Sequence, residues 1–139
     1  MRDGWLGDRD VDNLARQAVD LLFPPAIVAV EALNPGGRWS TWGGLSMAPH
    51  RPRRVIVSIG PGNRCIIGVN PDWSPTYTLA HLIDMLGGAC SHNFRGTPFP
   101  PCPGHDHHAI VDHDADSVIL QCPDTHRTVR RLTPDLDTN

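Results

Sequence analysis

The sequence contains no lysine. All twelve of its basic residues are arginine, and of its fifteen acidic residues only Glu31 is a glutamate. Without lysine there is no Schiff-base amine and no phosphate-loop lysine. A single glutamate with no histidine near it in sequence excludes the local H-E-x-x-H protease helix and the H-x-E deaminase pairing. Long apolar runs are missing too. The most apolar stretch, Leu21 to Val30, is far too short to span a bilayer and holds two prolines. The start, "MRDGWLGDRD", has no apolar signal core. These absences predict no membrane association and a cytoplasmic location, where thiols stay reduced and cysteine near histidine reads as a metal ligand before it reads as a disulfide.

What is present fits one domain. A chain of 139 residues can bury a core without cross-links. The Arg-only, Asp-heavy composition, with its many Gly, Pro and Ala, matches the codon bias of a GC-rich genome. A formal charge of −3 argues against a broad nucleic-acid-coating surface while leaving room for a local basic patch.

The pattern predicts an α+β fold: two helices, a small antiparallel sheet and a zinc-ribbon-like C-terminal hairpin. In "DRDVDNLARQAVDLLF", residues 8–23, Val11, Leu14, Ala15, Ala18, Leu21 and Leu22 recur at helical spacing, with Asp8 or Asp10 to cap the start and Pro24–Pro25 to end it. "AIVAV", residues 26–30, reads as a buried strand. Val55–Ile59 and Cys65–Val69 flank the turn "GPGN" as a hairpin, with Cys65 as a small, free core residue. A second helix opens with Ser74 at the N-cap and Pro75 at the first position, carries Leu79, Leu82, Ile83 and Leu86 on its apolar stripe, and stops at Gly87 or Gly88. His81 and Asp84 fall off the stripe and are expected in solvent. Residues 1–89 then form a small α+β domain, 90–132 a hairpin module packed on it, and 133–139 a fraying tail.

The chemistry concentrates near the C-terminus. "CPGH" sets Cys102 three residues before His105, and "CPDTH" sets Cys122 four before His126. A hairpin, "HHAIVD" then "SVILQC", fills much of the gap. Two short corners joined by a hairpin can bring four ligands around one Zn²⁺, which favours tetrahedral Cys/His sets. Gly104 permits the tight turn of the first corner. Cys102, His105, Cys122 and His126 are therefore the expected metal ligands. His107, His108, His113, Cys90 and His92 are rivals, and a Cys102–Cys122 disulfide is the oxidised alternative. A quartet closed by His126 would be structural, whereas three ligands and a water would make a hydrolytic centre.

The segment "PFPPCPGHDHHAIVDHDADSVILQCP", residues 98–123, resembles the C-terminal end of small proteins of actinobacteria and their phages, in which a "PPCPGH-x-H" corner precedes a second "CP" by about twenty residues. That resemblance implies a small metal-binding module with no established activity. "VDHDADSVILQC" resembles more faintly the "DHDH…C" part of HNH nucleases of the endonuclease VII type. It implies Asp112, His113 and Asp114 on a catalytic strand and Cys122 on the zinc. This chain departs from that pattern at Ala115 and in its closing "CPDTH".

Together these readings favour a non-enzymatic zinc module that binds another macromolecule, with a metal-dependent nuclease or zinc hydrolase as the alternative. Arg127, Arg130 and Arg131, with "HRPRR" at 50–54, are the candidates for touching nucleic acid. Trp39 and Trp42 are the candidates for a protein partner. The negative net charge tips the expectation toward protein.

Overall fold

The computed structural model describes residues 6–21, 27–32, 53–58, 64–89, 100, 102, 104–105 and 107–136. Trp39 and Trp42 lie outside them, as do Cys90 and His92. The element order is α1 (Asp8–Val19), β1 (Ile27–Ala32), β2 (Arg53–Ser58), β3 (Arg64–Val69), α2 (Pro75–Ala89), β4 (Ile110–His113), β5 (Val118–Gln121) and β6 (Thr128–Leu132). The fold is α+β, with two helices and two three-stranded antiparallel sheets, ordered β1-β2-β3 and β4-β5-β6.

Both helices start where side-chain chemistry can satisfy their free N–H groups. Gly7 precedes α1 and has no side-chain oxygen to offer, but Asp10, three residues on, reaches back and accepts the Gly7 N–H at 3.0 Å. The inner face of α1 then buries Val11, Leu14, Ala15, Ala18 and Val19. At α2 the Ser74 hydroxyl accepts the Tyr77 N–H at 3.1 Å. Leu79, Leu82, Ile83 and Leu86 are all buried, as their spacing predicts. The helix runs past Gly87 and Gly88 to Ala89. Glycine costs a helix only about 1 kcal/mol, so a helix held by a buried face can pass through it. Asp84 is exposed, whereas His81 is half-buried, sharing Gly68 O at 3.1 Å and lying edge-on to the Trp73 ring. Burial lowers its pKa, making it a packed residue rather than a solvated one.

In the first sheet, β2 and β3 pair so that Val55 faces Ile67 and Val57 faces Cys65, and all four are buried. This two-residue period puts one face of the hairpin against the helices. Cys65 is buried as expected, but it is disulfide-bonded rather than a free thiol. In the second sheet Val118 and Leu120 alternate inward from β5, joined by Leu132 of β6.

The two sheets share one core. Cys102, Ala109, Val118, Leu120, Cys122 and Leu132 belong to the same buried cluster as the helix residues, and α2 packs on β3 of the first sheet and on β4 and β5 of the second. The Thr76 hydroxyl donates to Ala115 O at 3.3 Å, pinning the start of α2 to the β4–β5 turn. Just beyond β6, the Gln17 amide donates to Thr133 O at 2.7 Å and accepts the Asp135 N–H at 2.8 Å. The first part of the segment expected to fray is thus held against α1.

Candidate metal centre

The first corner is a tight turn. Its hydrogen bond runs from the His105 N–H to Cys102 O at 3.1 Å, and Gly104 adopts φ 79°, a left-handed conformation that glycine takes without strain. Ala109 then ties to Pro100 O at 2.8 Å, setting the corner beside the start of β4. The second corner leaves β5 directly. The His126 N–H closes on Cys122 O at 2.8 Å and the Cys122 N–H on Arg127 O at 2.9 Å, before β6 begins.

These two corners bring four donors together. One ligand atom from each of Cys102, His105, His107 and Cys122 lies within 4.8 Å of every other. Cys102 Sγ is 3.2 Å from His105 Nδ1, and Cys122 Sγ is 3.6 Å from both His105 Nδ1 and His107 Nε2. The sulfurs are buried, His107 is half-buried and His105 faces solvent. Cys102 and Cys122 are free thiols, so the oxidised alternative does not apply to them.

His126 is outside this group. It carries φ 60°, its side chain is exposed, and its backbone closes the second corner. Asparagine or glycine would be more usual in that conformation. The residue serves the turn, and it is His107 that stands with His105 beside the two sulfurs. His107 follows His105 by two residues, and their rings lie 4.7 Å apart beside the sulfurs. His108 is exposed, with Nδ1 at 3.0 Å from its neighbour's carbonyl oxygen, Ala109 O. It lines a cavity of about 220 Å³ with Asp84 and Ile110, which none of the four Cys/His residues borders.

The two thiols have different electrostatics. Cys122 is pulled down to about 6, chiefly by the Thr125 hydroxyl and then the Thr125 N–H, with the Asp124 N–H and His107 adding to them against the opposing effect of burial. Its corner is a small nest of donors around a sulfur that favours thiolate. Cys102 is pushed up, first by burial and then by the neighbouring Cys122. Two sulfurs this close cannot both ionise cheaply without a cation between them.

The remaining sequence candidates fall elsewhere. Asp112 and His113 lie on β4. The Asp112 carboxylate accepts the His113 N–H at 2.8 Å, and the His113 ring sits edge-on to Tyr77. Asp114 accepts the Asp116 and Ser117 N–H groups at 2.8 Å each, and Arg131 reaches it at 2.9 Å. These contacts hold the Asp114 carboxyl down at about 2, the two backbone donors contributing most. Arg131 is thereby engaged in an ion pair, while Arg127 and Arg130 are exposed. No helix among the described residues is long and apolar enough to cross a membrane.

The chain matches no protein-family model, no curated protein and no solved structure.

Proposed function

We propose that the protein is a non-enzymatic zinc module in which Cys102, His105, His107 and Cys122 form a closed site that staples the C-terminal sheet. The observation that carries this reading is the spacing of the donors. Ligands about 2.3 Å (sulfur) and 2.0–2.1 Å (nitrogen) from a tetrahedral ion stand about 3.6 Å apart along each sulfur–nitrogen edge. Three of the four sulfur–nitrogen edges here are 3.2, 3.6 and 3.6 Å. Two soft sulfurs and two imidazoles favour zinc over hard cations, which take oxygen.

Cys65 adds support. A chain that carries one disulfide while keeping two adjacent thiols free needs something to protect those thiols, and a bound metal does so. Disulfides are rare in reducing cytosol, so this reading departs from the cytoplasmic location that the start of the sequence suggested.

Four protein ligands leave no position for a reacting water, which separates this reading from a zinc hydrolase. The nuclease alternative needs His113 or Asp112 beside the metal, yet His113 is packed against Tyr77. The resemblance to small actinobacterial and phage proteins fits the same stapled module. Its role would be to bind another macromolecule. The charge of −3 and the engagement of Arg131 by Asp114 favour a protein over nucleic acid.

Cobalt substitution tests the site. Co²⁺ added to metal-free protein should give the intense visible bands of a four-coordinate ion, with sulfur-to-metal charge transfer in the near ultraviolet. A weak six-coordinate spectrum, or none, would contradict it. Nicking of DNA by the zinc-loaded protein would favour the nuclease instead.

A further inference from the structure

Resting on the metal reading, we infer that the two histidines bind through different ring nitrogens, His105 through Nδ1 and His107 through Nε2, and that Asp124 is the positioning residue that fixes the second. Both cysteine sulfurs approach the same nitrogen of His105, Nδ1, at 3.2 and 3.6 Å. Cys122 Sγ approaches His107 on the opposite nitrogen, Nε2, at 3.6 Å. The two rings lie 4.7 Å apart and tilted by 43°, so they converge on the sulfurs without stacking.

Chain geometry accounts for the difference. His105 closes a turn only three residues from Cys102, where its backbone is already close to the sulfur and the nitrogen nearer the backbone is the one that reaches. His107 comes two residues later, leading into β4, and spans the added distance with the far nitrogen. Its Nδ1 is left pointing away from the sulfurs, and the Asp124 carboxylate stands there at 3.6 Å. That is an ion-pair distance, somewhat longer than a hydrogen bond. A metal ion on Nε2 makes the Nδ1–H a stronger donor and draws the carboxylate toward it. A carboxylate behind a ligating imidazole fixes its tautomer and raises its basicity.

Asp124 lies two residues beyond Cys122 in the second corner, and its side chain faces His107. Because it belongs to the corner that carries Cys122, it couples the orientation of an imidazole from the first corner to the placement of a thiolate from the second. Its side chain is 73 % exposed, so truncation removes little packing.

The test uses the zinc-loaded full chain. Long-range ¹H–¹⁵N correlation spectra of the imidazoles should show His105 ligated at Nδ1 with the proton on Nε2, and His107 the reverse. In chelator competition, Asp124→Ala should weaken zinc affinity by about 10- to 100-fold, the range for loss of such a partner. Asp124→Asn, whose amide oxygen still accepts the Nδ1–H, should recover most of that loss and keep the His107 tautomer. Both histidines ligated through the same nitrogen would overturn the inference, as would Asp124→Ala binding zinc as tightly as the parent. Either result leaves the metal reading intact. A parent protein that takes up no zinc would overturn both.

Discussion

Cys102 Sγ and His105 Nδ1 stand 3.2 Å apart across a single turn closed by Gly104. That pairing is local, set by a few residues of backbone. The other half of the group is not local, because β4 and β5 must pair before Cys122 can meet His105. Metal binding and formation of the second sheet should therefore be one event. Structural zinc sites contribute on the order of 10 kcal/mol. Stripping the metal with a chelator is expected to lower the melting temperature sharply and to deprotect amides of β4, β5 and β6 before those of β2 and β3, as read by hydrogen exchange.

The assignment of His107 over His126 makes a direct comparison possible. His107→Ala should weaken zinc binding severely, because it leaves three ligands. His126→Ala should leave zinc binding intact, while His126→Gly, which relieves the left-handed backbone at φ 60°, should if anything stabilise the second corner. Isothermal titration of zinc into the two alanine variants reads the difference. Equal losses, or a larger loss at His126, would contradict the site as drawn.

The acidic turn between β4 and β5 gives a pH dependence. The carboxyl of Asp114 lies at about 2 in the folded protein, below its ordinary value near 3.8. Its folded pKa is depressed, so its stabilisation is fully present above the ordinary value and is lost as pH falls from about 4 toward 2. Asp114→Asn should flatten that part of the acid-unfolding curve while lowering stability modestly at neutral pH. Arg131→Ala should produce part of the same effect. The carboxylate is exposed, so the change should be small and should shrink further in high salt only to the extent that Arg131 contributes.

With zinc bound, the shared core predicts that the two sheets do not melt apart. Leu120 on β5 and Leu82 on α2 are both almost wholly buried in the same cluster. Truncating either to alanine should cost about 2–5 kcal/mol. Each should shift a single unfolding transition, recorded by circular dichroism, rather than split it into two.

Much of this arrangement was legible in the sequence, and the failures have physical causes. The Ser74-Pro75 opening of α2 and its apolar stripe were readable because capping and helical periodicity are local. The β2–β3 and β4–β5 hairpins were readable because short turns separate alternating apolar runs. The pair Cys102 and His105 was readable for the same reason. His126 stands outside the Cys/His group, and the spacing within "CPDTH" could not show this because it says nothing about backbone handedness. At φ 60° that residue turns the chain, and the nest of N–H groups around Cys122 forms from the same turn. His107 was passed over because its partner Cys122 lies fifteen residues away, across a strand pairing. The oxidation state of Cys65 was equally out of reach, since an apolar strand context describes a buried thiol and a buried disulfide alike.

The thiol chemistry can be counted. The sequence has four cysteines, of which Cys65 is disulfide-bonded and Cys102 and Cys122 are free. Unfolded, metal-free protein that has not been reduced should release two equivalents of chromophore from a thiol reagent. The native zinc-loaded protein should react slowly, and a chelator should restore the rate. Four rapidly reacting thiols would contradict the oxidised Cys65, and none would contradict the thiol pair at the metal centre.

The most direct measurement is the metal content of protein purified without added metal, set beside the Cys102→Ser and Cys122→Ser variants. One zinc per chain is expected in the parent and almost none in either variant, with the loss accompanied by unfolding of the second sheet. A parent protein free of metal, or variants that keep their zinc, would contradict it.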